Sequence, residues 1–178
     1  MNKPANPVET NDNLQEQAMQ RSNTDNAPRS AIHQTLYSAD TFVQHDYLAG
    51  KALPDIARPQ EGQINWLHFV GINDAALLKH ALEPYGIHEL VIEDILSRKQ
   101  RPKIEDYGNY VFTAAQVYHY TTTGKLHSDQ VYVIIGKDFV LSFQQKPLGL
   151  FSHLRRQMHE NPHNILNKNT AFLAYCLL

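Results

Sequence analysis

Gln130-Val131-Tyr132-Val133-Ile134-Ile135-Gly136-Lys137-Asp138-Phe139-Val140-Leu141-Ser142-Phe143 is the stretch that decides the fold. It holds two short apolar runs rich in β-branched and aromatic residues, separated by three turn-forming residues. The pattern reads as strands over Gln130 to Ile135 and Phe139 to Phe143, closed into a hairpin by Gly136-Lys137-Asp138. Strands joined so tightly must run antiparallel.

Working outward, Tyr110 to Tyr120 is equally β-like, and Thr121-Thr122-Thr123-Gly124-Lys125 supplies a second hairpin loop. Pro102 pushes Arg101 into an extended conformation, so another strand can begin there. Ile64 to Val70 alternates and carries bulky side chains. Ile32 to Tyr37 and Thr41 to Tyr47 read as weaker strands, with Pro54, Pro59 and Gly62 marking the loop that follows. Asn73 or Asp74 can cap a helix whose apolar positions are Ala75, Leu78, Ala81 and Leu82, and Pro84-Tyr85-Gly86 ends it. A second helix is expected from about Ile87 to Ser97. Beyond the decisive hairpin, Leu148 to His159 reads as a helix broken before Pro162, and Asn169 or Thr170 can cap another. Helices on both sides of the strand run would cover the sheet. The expected fold is α/β, a mixed, partly antiparallel sheet flanked by helices in an α/β/α sandwich.

The folded part is expected to be one domain over residues 31–178. Residues 1–30 contain six Asn, three Pro and no Phe, Tyr or Trp. Such a tail cannot bury enough apolar surface to offset its ordering entropy, so it is expected to be disordered. The chain of 178 residues is 42% hydrophobic and 19% charged, with a formal net charge of -2. That balance argues against a nucleic-acid binder, which would carry a basic excess. The single Cys176 allows no disulfide within the chain and fits a reducing compartment. No run approaches the roughly 18 apolar residues that a membrane helix requires.

Enzyme signatures are missing. The eight glycines are scattered and form no phosphate-binding fingerprint. His88-Glu89 begins like a zinc-protease motif, but Ile92 stands where its second histidine belongs. His153, His159 and His163 are loosely spaced across Pro162 and read as solvated surface histidines. Arg98-Lys99-Gln100-Arg101-Pro102-Lys103 is basic, yet Glu93, Asp94, Glu105 and Asp106 balance it, so it reads as a solvated turn. No catalytic constellation emerges, and the chain is read as a non-enzyme.

The expected helix from Ile87 holds the one unusual acid. At about 100° per residue, Ile87, Leu90, Val91 and Ile95 form an apolar arc, and Asp94 falls inside it between Ile87 and Leu90. A carboxylate on a face that should be buried needs a partner, a raised pKa or a cation. One reading is an ion pair with Arg98, one turn on. The other is that Asp94, with Glu93 beside it, faces a subunit boundary and helps hold a hard divalent cation, for which carboxylate oxygens are suited.

Tyr85-Gly86-Ile87-His88-Glu89-Leu90-Val91-Ile92-Glu93-Asp94-Ile95-Leu96, running on into Gln100-Arg101-Pro102-Lys103-Ile104-Glu105 and Tyr107 to Phe112, resembles the segment after the first helix of CorA-type divalent-cation transporters. The order and spacing of Glu-Asp-Ile-Leu and Gln-Arg-Pro-Lys carry the likeness. It extends more weakly from about Trp66 through Gln130 to Ile135 and to Ala171 to Tyr175. The resemblance implies the cytoplasmic N-terminal domain of a homopentameric transporter at the cell inner membrane, with a long helix and two membrane helices following further on. It implies magnesium as the transported ion, with cobalt or nickel also carried, and regulatory magnesium between neighbouring domains favouring the closed pore. Carried over residue by residue, the acids that bind regulatory metal correspond to Glu93 and Asp94. The partner acids are expected beyond the segment matching Tyr175-Cys176-Leu177-Leu178, so this chain would bind magnesium weakly. Two alternatives accompany this reading: the same domain of a zinc-transporting relative, and a stand-alone soluble interaction module.

Overall fold

The computed structural model describes residues 31–48, 55–71, 73–120 and 123–178. The expected disordered tail, the Pro54 loop marker and the Thr121-Thr122 part of the hairpin loop lie outside the described residues. The strands are β1 (Ala31–Tyr37), β2 (Phe42–Leu48), β3 (Ile64–Val70), β4 (Lys103–Asp106), β5 (Tyr110–Tyr120), β6 (Leu126–Gly136) and β7 (Phe139–Gln144). The helices are α1 (Ala75–Leu82), α2 (Glu89–Ser97), α3 (Ser152–Glu160), α4 (His163–Leu166) and α5 (Thr170–Leu177), with a short 3-10 turn at Glu83–Tyr85.

All seven strands form one sheet in the order β2-β1-β3-β7-β6-β5-β4. The decisive hairpin forms as read: β6 and β7 pair antiparallel, with Ile135 opposite Val140 and Val131 opposite Gln144. Every other pairing is also antiparallel except β3 with β7, which run parallel with Asn65 opposite Phe139. The sheet is therefore mixed, as expected.

Side chains alternate across the strands and fill two cores. On one face, Ile32, Leu67, Phe69, Phe112, Tyr132, Ile134 and Leu141 pack against Leu78 and Leu82 of α1 and Val91 and Ile95 of α2. On the other, Tyr37, Trp66, Val131, Val133 and Val140 pack against Phe151, Met158, Ile165, Leu173 and Leu177 from the C-terminal helices. The layers are helix, sheet, helix. His68 is buried within the second face, where the Ser142 hydroxyl serves both rings: it lies 2.9 Å from His68 Nδ1 and accepts from Trp66 Nε1 at 3.0 Å. Burial, helped by the neighbouring His33, pushes the His68 imidazole down to about 3.

Two helices start later than expected, each for a local reason. α2 begins at Glu89 because His88 is extended and caps it, its Nδ1 accepting from the Leu90 amide at 3.2 Å. α3 begins at Ser152 because Gly149 takes a left-handed conformation, φ 66°, that a continuing helix cannot contain. Asp74 caps α1 by accepting from the amides of Ala76 and Leu77. Ala75, expected on its apolar face, is exposed. Asn169 caps α5 through the Phe172 amide.

Candidate functional site

α2 lays Val91, Ile92 and Ile95 into the first core. The buried arc is thus turned from the expected one: Leu90 is 57% exposed and Ile92 only 6%. Ile92 joins the core that also holds Leu78 and Leu82 of α1. Asp94 accordingly sits at the rim of the buried arc, not inside it, with its side chain 22% exposed.

The carboxylate of Asp94 is fully engaged. Lys103 Nζ donates to Oδ2 at 2.7 Å and Gln100 Nε2 donates to Oδ1 at 2.7 Å. The same ammonium donates to Glu105 Oε1 at 2.9 Å and lies 5.4 Å over the ring of Phe112. Tyr107 completes the cluster by donating its hydroxyl to Glu105 Oε2 at 3.3 Å. The bond to Asp94, above all, raises the pKa of Lys103 and holds its ammonium charged. Burial, reinforced by the charge of Asp94, pushes the Tyr132 phenol up to about 12.

The ion pair with Arg98 is not made. α2 ends at Ser97, and Arg98 takes the left-handed conformation with φ 57°. That turn sends its guanidinium to the Asn73 side chain. Lys103, at the start of β4, occupies the place instead. Gln100 is fixed by Gln130 of β6, whose side chain accepts from the Gln100 amide and donates to the Gln100 carbonyl. Neither Lys103 nor Gln100 was singled out as a partner of Asp94 in the sequence. The usable signal was the alternation Lys103-Ile104-Glu105, which places a cation and an acid on one face of a strand.

Glu93 stands exposed beside Asp94 and takes part in none of these bonds. Glu89, at the start of the same helix, pairs with Lys79 at 2.8 Å. Arg98 as well as Lys103 acts on the Tyr132 phenol beside Asp94, so the acids of this face stand among cations. The donors are hard oxygens, which suit magnesium better than the histidine and thiolate sets that favour zinc. Among the described residues, no three His, Cys, Asp or Glu stand close enough together to hold a metal ion. Glu93 and Asp94 thus have no third such side chain beside them among the described residues. His153 and His159 lie on α3, with His153 Nδ1 3.4 Å from Arg156 and the His159 ring 6.5 Å from that of Phe42. No helix among the described residues is long and apolar enough to cross a membrane.

Residues 61–176 match the model of a protein family described as CorA-like Mg2+ transporter protein. The cobalt/magnesium transport protein CorA of Thermotoga maritima is 37% identical over 114 residues, which cover 64% of this chain and 32% of that protein. A magnesium transporter of Saccharomyces cerevisiae is 27% identical over 96 residues, 53% of this chain and 11% of that protein. The chain thus spans about a third or less of the length of these relatives. Among solved structures, the CorA magnesium transporter from Methanocaldococcus jannaschii superposes with a TM-score of 0.60 at 13% identity, covering 82% of this chain and 42% of that one. The full-length CmaX protein gives 0.60 at 14% identity, covering 86% and 46%. At such identities these two likenesses speak for the fold.

Proposed function

Because the chain belongs to the CorA-like Mg2+ transporter family, we propose that it is the cation-sensing domain of a divalent-cation transporter, with Glu93 and Asp94 as its share of a regulatory magnesium site. The domain would sit at the cytoplasmic face of the membrane in a homo-oligomer, a pentamer as the resemblance implies. Neighbouring subunits would complete the coordination sphere. Magnesium bound there biases the transporter only by binding one state more tightly than the other.

The observation that carries this reading is the pair of adjacent carboxylates, Glu93 and Asp94, at the rim of the helix. Asp94 is fixed by Gln100 and Lys103 and cannot swing away, while Glu93 beside it is exposed and uncommitted. A pair of hard-oxygen donors at the helix rim, too few to hold an ion alone, suits a site shared across a boundary. Cobalt fits the same oxygen donors. Among the described residues, the side chains bonded to Asp94 and Glu105 are Gln100, Lys103 and Tyr107, none of them a nitrogen or sulfur ligand for zinc.

The test is a magnesium titration of thermal stability at constant ionic strength. The full-length oligomer with wild-type residues should show a rising Tm that saturates in the millimolar range. Asp94→Asn, which keeps the shape and an acceptor for Gln100, should lose that rise. An Asp94→Asn protein with an undiminished magnesium response would remove Asp94 from the site.

A further inference from the structure

On the opposite side of the molecule, α3 and β2 flank a shallow, open depression of 370 Å³ lined by Gln44, Ser152, Arg155, Arg156 and His159. The four helical residues fall at positions i, i+3, i+4 and i+7, within about 100° of arc, so one face of α3 presents them together. Gln44, from edge strand β2, makes the facing wall. Its amide donates to the Arg155 carbonyl at 3.4 Å, which ties strand to helix across the depression.

The lining contains two guanidinium groups and no carboxylate. Asp46, just outside, answers one of them: it accepts from Arg155 Nη2 at 2.5 Å while also bonding His33 at 2.7 Å. The Nε–H of Arg155 is buried and has no hydrogen-bond partner. Buried donors are rarely left in that state without a ligand or water to accept from them. Arg156 is exposed, lies 3.4 Å from the His153 ring, and has Glu160 one turn further along the helix. Ser152 and His159 add further hydrogen-bonding groups around the opening.

We propose that this depression binds a phosphate group. Guanidinium forks match phosphate oxygens two at a time, and their charge is permanent. Two guanidinium groups, a hydroxyl and an imidazole on one helix face form a donor-rich set for a tetrahedral anion. The lining has no aromatic ring beyond His159 on which a base could stack, and the depression lies at the small end of ligand sites. The ligand is therefore recognised by its phosphate. The group can come from free phosphate or from a phospholipid headgroup.

The experiment titrates the full chain with inorganic phosphate, replacing chloride at constant ionic strength, and follows Tm and amide chemical shifts. In parallel, the protein is co-sedimented with phosphatidic acid vesicles. Wild-type protein should respond saturably, with shifts confined to α3 and β2. Arg156→Ala should weaken the response about tenfold, as loss of a charge-assisted contact does. Arg156 is exposed, so this variant should keep the wild-type Tm without phosphate, and Lys99→Ala, far from the depression, should behave as wild type. Arg156-dependent vesicle binding with no response to free phosphate identifies a headgroup as the source. Equal responses of wild type and Arg156→Ala in both arms, or no saturable response in either, overturn the proposal.

Discussion

Replacing Lys103 by methionine should strengthen magnesium binding, although it removes a residue bonded to the proposed ligand. The ammonium lies 2.7 Å from Asp94 and 2.9 Å from Glu105, so it competes for the oxygens that a cation would use. A divalent ion on the Asp94 carboxylate would have this charge about 4 Å away, where two charges against one repel by about 2 kcal/mol in a water-like dielectric. Half a Debye length of screening at physiological salt reduces that to about 1.3 kcal/mol, close to tenfold in affinity. Its raised pKa keeps Lys103 charged near neutrality, so deprotonation offers no relief. Methionine preserves most of the stem over Phe112. The metal-free variant should lose about 1 kcal/mol as a partly exposed ion pair disappears. Calorimetric magnesium titration of wild type and Lys103→Met in the full-length oligomer, with Asp94→Asn as the blank, measures the difference. Affinity equal to or weaker than wild type would refute the reasoning and make Lys103 a group that positions Asp94 rather than one that competes for it.

Acid should unfold the protein partly through His68. Its folded pKa of about 3 lies far below the 6.5 of an ordinary histidine, so between those values the unfolded chain binds the proton and the folded one does not. This contribution is complete above 6.5 and is lost as pH falls towards 3, amounting to about 2 kcal/mol by about pH 5. Urea unfolding of His68→Leu at both pH values should show a slope flatter by that amount, and an unchanged difference would show that His68 is not the group responsible. Gly136→Ala should cost about 1–3 kcal/mol through overpacking. A Cβ there would lie 2.2 Å from the Phe139 ring, itself packed on Tyr85 at 4.8 Å. A wild-type Tm would contradict that close approach.

Where local chemistry decides, the sequence was readable to the residue. β3 has the bounds its alternation predicts, and the Gly136 turn closes the hairpin its neighbours require. Asp74 and Asn169 cap helices as their side chains allow. The two late helix starts depended on backbone conformations, at His88 and Gly149, that composition signals only weakly. The site was half legible. Asp94 stood out because a helical wheel shows an acid among apolar residues. Its true partners lie six and nine residues on, past the end of the helix, where the wheel has no meaning. The rotation of α2 about its axis is set by its packing in the core, a tertiary fact that no local period contains.

The parallel pairing of β3 with β7 also bears on how the molecule assembles. It divides the sheet into two antiparallel units, β2-β1-β3 with β1 central and the meander β4 to β7, each built from pairings closer in sequence than the seam. The seam between them joins residues 74 positions apart, as Asn65 and Phe139 are. Closing so long a loop spends chain entropy before any contact repays it, which makes this seam the slow event in folding. Val140, opposite Trp66 in the seam, reports on it: Val140→Ala should slow refolding in stopped-flow measurements, and faster unfolding with unchanged refolding would place the seam after the barrier. Until it closes, both units expose unpaired strand edges, and that interval is when the chain is most open to pairing with another copy of itself.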